Sequence, residues 1–104
     1  MTSLTDITGW LDQMIGNDLR SHSCDVFVVG SFVTQPKACN DFDVLVIVSE
    51  EYCRYITKCF RKIKKDFMGR FNIPLHYLII TEAEFNIENK VVANMLDKPH
   101  EKIF

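Results

Sequence analysis

The chain has 104 residues, of which 47% are hydrophobic and 25% charged, with a formal net charge of −2. That length fits one domain, over residues 1–104, with a single core and no room for a separate substrate domain. The composition is that of a globular rather than a disordered chain, and the charge excludes a global positive field that would draw the protein onto nucleic acid.

The first element predicted is a helix over about residues 4–20. Leu4, Ile7, Leu11, Met14 and Ile15 recur at helical spacing with Trp10 beside them, Ser3 is placed to cap, and Asp6 falls in the first turn. Asp25-Val26-Phe27-Val28-Val29 follows, a short β-branched run that reads as a buried strand ending in a turn at Gly30-Ser31. Residues 32–40, with Pro36, Lys37 and Asn40, read as a loop.

The stretch from Asp41 to Val48 is the clearest strand. Its alternation sets Asp41, Asp43, Leu45 and Ile47 on one face and Phe42, Val44, Val46 and Val48 on the other. Both faces are apolar beyond the two aspartates, so the strand is expected to be central in its sheet. Ser49 then reads as the cap of a long helix ended by Gly69, with a buried stripe of Tyr52, Tyr55, Ile56, Cys59, Phe60, Ile63 and Phe67. The opposite face carries Arg54, Lys58, Arg61, Lys62, Lys64 and Lys65, a local positive patch that would meet an acidic partner or simply stay solvated.

A third strand is predicted over Pro74–Ile80, and Thr81-Glu82-Ala83-Glu84 has the pattern of a capping box. Val91, Val92, Met95 and Leu96 suggest a last helix to about Asp97, before Pro99. The order is α-β-β-α-β-α, an α/β (α+β) domain with a small mixed sheet of three or more strands flanked by helices. The short connection makes the first two strands antiparallel, and the long helix permits a parallel crossover between the second and third. The eight phenylalanines point to a core built on aromatic rings.

Cys24, Cys39, Cys53 and Cys59 form no Cys-x-x-Cys pair and match no zinc spacing. The N-terminus lacks the features of a signal peptide, and no apolar run approaches the length of a membrane span. Reduced thiols in a cytoplasmic protein are therefore expected.

The chemistry concentrates in two places that antiparallel pairing would bring together. Gly30 permits a sharp turn and close approach of a ligand. Ser31 offers a hydroxyl and an amide to phosphate oxygens. Asp41 and Asp43, two residues apart, project from one face of the next strand. Two carboxylates with substrate phosphates are a common way to hold Mg²⁺, which would orient an α-phosphoryl group for in-line attack. The plainer alternative makes Gly30-Ser31 an ordinary turn and the aspartates solvent-facing strand residues. Against it stands the repulsion of two carboxylates so close together with nothing to neutralise them.

Val28-Val29-Gly30-Ser31, nine residues, then Asp41-Phe42-Asp43-Val44-Leu45-Val46 resembles the Gly-Ser…Asp-x-Asp signature of the polymerase-β-like nucleotidyltransferases. Size and element order resemble the minimal nucleotidyltransferases. The resemblance covers residues 4–97, with the specific motif confined to 26–48. It implies transfer of a nucleoside monophosphate from a nucleoside triphosphate, usually ATP, to a hydroxyl, with Mg²⁺ or Mn²⁺ held by Asp41 and Asp43. In some small members the acceptor is a protein toxin of the HEPN class, and the nucleotidyltransferase acts as its antitoxin.

The sequence departs from that pattern twice. Active members carry a third carboxylate on the third strand, where this chain has His76. Glu82 follows six residues later, roughly 20 Å along an extended chain and at the wrong end. His76 would serve as base or as a metal ligand, or would be an ordinary strand histidine. Many minimal members also have an arginine and a glycine just after Gly-Ser. Here Lys37 is the cation available to a triphosphate, unless it is merely solvated. The alternatives are a degenerate module that keeps the fold and binds nucleotide or a partner protein without turnover, and an unrelated α/β domain that binds through its basic helix. The sequence leaves the acceptor and the oligomeric state open.

Overall fold

The computed structural model describes residues 3–30, 41–86, 96–97 and 100–104. Ser31, Lys37, Cys39, Val91, Val92 and Met95 lie outside the described residues, and with them most of the two predicted loop and helix segments.

The N-terminal helix forms where its periodicity places it. Ser3 and Asp6 make a reciprocal capping box, with Asp6 N–H donating to Ser3 Oγ at 3.1 Å. Helix α1 runs over Leu4–Leu11, a π-helical turn over Asp12–Gly16, and α2 over Asn17–Ser21. The π turn has a physical reason. The buried hydrophobic side chains are Ile7, Leu11, Ile15 and Leu19, one every four positions. In an ordinary helix each such step overshoots by about 40°, so the stripe would wind off the core. The wider π turn unwinds the helix and keeps all four on one face. Met14, predicted on the buried stripe, is turned out by the same adjustment and is 45% exposed.

Strand β1 covers Asp25–Val29, β2 Phe42–Val48 and β3 Leu75–Thr81, and a two-residue β4 covers Glu101–Lys102. The sheet order is β3-β2-β1-β4. Strands β1 and β2 pair antiparallel with Val29 opposite Asp43, and β2 and β3 pair parallel with Asp43 opposite His76. Strand β4 is an addition to the predicted order. It is held to β1 by Ile103 N–H donating to Val26 C=O at 2.8 Å and Val26 N–H donating to Phe104 C=O at 3.0 Å. Its backbone pairing needs no apolar alternation, so no sequence pattern marks it.

The long helix α3 spans Cys53–Phe71 after a short 3₁₀ turn at Glu50–Tyr52. Two expectations about its ends are corrected. Ser49 makes no side-chain capping bond; its hydroxyl is buried without a partner among the described residues. Gly69 does not stop the helix, which continues to Phe71 and closes on Asn72 in the left-handed conformation at φ 59°. Asparagine tolerates that conformation better than other residues with a Cβ. Asn72→Ala is therefore expected to cost about 1 kcal/mol, lowering the melting temperature by roughly 4–8 °C in a thermal scan.

Ile56, Phe60, Ile63 and Phe67 are the buried residues of α3, while Tyr55, predicted among them, is 46% exposed. Tyr55 instead donates its hydroxyl to Asp18 Oδ1 at 2.6 Å, tying α3 to α2. That bond, with the Asp18 charge beside it, pushes the phenol up to about 12.

The core between the helices and the sheet is aromatic, as expected: Phe42, Phe60 and Phe67 are almost wholly buried. Trp10 meets Phe67 edge-on at 5.7 Å, and Phe42 lies 5.5 Å from Phe67. Phe42, Val44, Val46 and Val48 face this core, whereas Val29, Leu45, Ile47 and Ile80 form a second apolar cluster on the opposite face of the sheet. Both faces of β2 are covered, which makes it the central, two-sided strand its composition predicted. Helix α4, Glu82–Asn86, opens on the capping box read from the sequence, with Thr81 N–H donating to Glu84 Oε1 at 3.2 Å and Glu84 N–H to Thr81 Oγ1 at 3.1 Å. Cys24, Cys53 and Cys59 are free thiols. Among the described residues, no helix is long and apolar enough to cross a membrane.

Candidate active site

Antiparallel pairing brings the end of β1 beside the start of β2, and parallel pairing brings the start of β3 to the same edge. Gly30, Asp43 and His76 thereby arrive side by side from three sequence regions. Asp43 points away from the helical layer, because its neighbours Phe42 and Val44 take the helix-facing positions.

His76 Nδ1 lies 3.2 Å from Asp43 Oδ1 and 3.4 Å from Asp41 Oδ2. One ligand atom from each of Asp41, Asp43 and His76 falls within 4.8 Å of the others. Two carboxylates and an imidazole converge on one point, a donor set that suits a divalent cation. The aspartate side chains are about one-third exposed, at 34% for Asp41 and 32% for Asp43, and His76 is 54% exposed. The cluster is set into the surface yet open to a ligand.

Burial pushes the Asp43 carboxyl above its usual range, the Asp41 charge adds to that, and His76 opposes both by its charge and hydrogen bond. Asp43 is thus a carboxylate whose ionisation the metal-free fold disfavours. A bound cation would reverse that preference.

Gly30 closes the other side. Its φ is +81°, in the region that residues with a Cβ rarely adopt, and a Cβ built there would stand 2.8 Å from Asp43 Oδ2. The glycine therefore does two things: it makes the turn at the end of β1 and leaves Asp43 its space. Of the residues predicted for the site, the structure brings Gly30, Asp41, Asp43 and His76 together. Ser31 and Lys37 are outside the described residues.

The remaining acidic candidates are elsewhere. Thr81 pairs with Val48 at the opposite end of β2 from Asp43, so Glu82 begins far from the cluster, and Glu84 is engaged with Thr81. The basic face of α3 belongs to the helical layer, on the other side of the sheet from Asp43.

No protein-family model and no curated protein matches the sequence. A solved crystal structure of a provisionally assigned nucleotidyltransferase superposes with a TM-score of 0.57 at 18% identity, covering 92% of this chain and 96% of that one. The fold is that of the nucleotidyltransferases. The match runs over nearly the full length of both chains, so the likeness is to the whole fold rather than to a fragment. In this chain, Gly30, Asp41, Asp43 and His76 lie where the end of β1 meets the starts of β2 and β3.

Proposed function

We propose that the protein is a metal-dependent nucleotidyltransferase that moves a nucleoside monophosphate from a nucleoside triphosphate, ATP in the first instance, to a hydroxyl acceptor. The observation that carries this reading is the convergence of Asp41, Asp43 and His76 beside Gly30 at one edge of a nucleotidyltransferase fold.

In this reading Asp41 and Asp43 hold Mg²⁺ or Mn²⁺, with His76 as a third donor through Nδ1. When bound, the cation would neutralise phosphate charge and polarise the α-phosphoryl group. The turn at Gly30 lets the triphosphate come close to the backbone, and Ser31 and Lys37 are proposed as its further contacts. The acceptor oxygen bonds to the α-phosphorus as the bond to the bridging oxygen breaks, and pyrophosphate leaves. The acceptor proton passes to solvent, because an imidazole that gives Nδ1 to the cation carries its own proton on Nε2 and has no lone pair left to accept another.

Imidazole in place of a third carboxylate has a consequence for the metal. Nitrogen donors suit Mn²⁺ better than Mg²⁺. Activity is expected to be several-fold higher with Mn²⁺, and His76→Asp is expected to shift the preference toward Mg²⁺. Initial rates of label transfer across a titration of each metal check this; an unchanged metal preference would remove His76 from the ligand set.

The test of the function itself is incubation of the pure protein with α-³²P-labelled triphosphates, Mg²⁺ or Mn²⁺ and a lysate of its host. Label passing to a macromolecule with wild type but not with Asp43→Ala supports transfer. The same histidine favours a second reading, a module that binds nucleotide without turnover. Saturable, metal-dependent ATP binding with no transfer from any triphosphate would select it. A protein acceptor, including a toxin neutralised by the modification, is the acceptor class the resemblance suggests; a labelled protein band that resists nuclease and yields to protease would identify it.

A further inference from the structure

Among the described strands, β3 is an edge. It hydrogen-bonds to β2 on one side, and among the described residues nothing pairs with the other. Seven residues long, it bears Leu78 at 39% exposure and Tyr77 and Ile79 half-buried. Proteins usually blunt such an edge with charge, proline or a covering segment, because its free amides and carbonyls form a template for another strand. Here the charge is present but sits beside the strand rather than on it.

That charge comes from α3. A groove of about 460 Å³ between α3 and the start of β3 is lined by Arg61, Lys64, Lys65, Met68, Pro74 and Leu75. The three cations and Met68 fall at positions i, i+3, i+4 and i+7, on one helix face. Lys64 Nζ stands 5.8 Å from the centroid of the Tyr77 ring, which fixes this basic face against β3. No described carboxylate pairs with Arg61, Lys64 or Lys65; the ion pairs lie at Asp12, Asp25, Asp41 and Asp43.

We infer that the β3 edge and the basic groove of α3 form one docking surface for an extended acidic segment of a partner protein, added to the sheet as a further strand. The two faces of β3 specify its pattern. Leu75, Tyr77 and Ile79 face the helical layer, so alternate residues of the added strand pass beneath Arg61, Lys64 and Lys65 and are acidic. The residues between them lie on the face of Leu78 and are apolar. Backbone pairing supplies affinity and the cations supply selectivity, the division of labour usual in strand addition. A second copy of this chain fits the edge less well. Antiparallel pairing of two β3 strands would bring both basic faces of α3 to the same side of the joint sheet, with six cations opposed.

The inference does not rest on catalysis, and its test reads binding alone. A fluorescein-labelled decapeptide alternating glutamate with valine is titrated into the protein, alongside a lysine–valine counterpart, a ten-nucleotide RNA, and the acidic peptide N-methylated at alternate residues. The acidic peptide is expected to bind with at least tenfold preference over the lysine version. Alternate amides of β3 should gain at least tenfold protection from hydrogen exchange. The Arg61→Glu, Lys64→Glu, Lys65→Glu triple variant, all three at exposed positions, should lose at least tenfold in affinity, and N-methylation should abolish binding. The proposal is overturned if the methylated peptide binds as well as the plain one, if the RNA binds and the peptide does not, if nothing binds at millimolar peptide, or if sedimentation shows a dimer that buries β3.

Discussion

Asp43→Asn is expected to abolish nucleotidyl transfer while making the metal-free protein more stable. Both halves follow from one position. The carboxyl of Asp43 is pushed up by burial and by Asp41, so the folded protein resists the charge that the proposed chemistry needs. A neutral amide of the same shape removes the repulsion and fits the space that Gly30 leaves. Since the folded value lies above the unfolded one, the penalty on wild type is absent at pH below the unfolded titration and fully present above the folded one. The stabilising effect of Asp43→Asn should therefore be seen at neutral pH and fade as the pH falls through the carboxylate range. Thermal scans at pH 7 and pH 3 check the sign. Mg²⁺ or Mn²⁺ should raise the melting temperature of wild type and leave the variant unmoved, and label transfer should fall by two orders of magnitude or more. A variant that still responds to the metal would detach Asp43 from the cation.

Gly30→Ala is expected to damage both fold and site. The left-handed turn costs a residue with a Cβ roughly 1–2 kcal/mol. The added methyl would also stand 2.8 Å from Asp43 Oδ2, closer than real Cβ contacts come. Something must yield, and the carboxylate is the movable partner. As Asp43 turns away from Gly30 it leaves the reach of His76 Nδ1 and of Asp41, and the triad loses its common point. The melting temperature should fall by several degrees. More diagnostic is the metal affinity, which should fall at least tenfold even at temperatures where the variant is fully folded. A variant that loses stability and binds metal as before would make Gly30 a turn residue alone.

The parts of the fold legible in the sequence are those where a period meets a two-sided environment. Alternation from Asp41 to Val48 gave the faces of β2 correctly, because a side chain in a strand has only two directions to take. Asp41 and Asp43 were therefore readable as a pair. The position of His76 needed more: it depends on the register of β2 against β3, which is set by packing across a 19-residue helix. The residues that the local rules misplaced share a cause. Met14 is displaced by a π turn that serves the spacing of Ile7, Leu11, Ile15 and Leu19. Gly69 sits in a helix whose end is decided three residues on, by Asn72. Tyr55 lies on the apolar stripe by periodicity but finds Asp18 on another helix. For Met14 and Tyr55 the packing of the helices decides, and for Gly69 a local cap three residues on outweighs a preference of about 1 kcal/mol.

The two-residue β4 also bears on where motion can enter the molecule. Held by a few backbone bonds around Val26, it is the part of the sheet that should fray first, and β3, bonded on one side among the described residues, should follow. Strand β2 is shielded from both, with a paired strand on either side and apolar cover above and below. Asp43 thus lies within, and Asp41 directly before, a strand paired on both sides and covered on both faces, so breathing at the margins of the sheet can admit a ligand or a partner without loosening the carboxylates that would receive the metal.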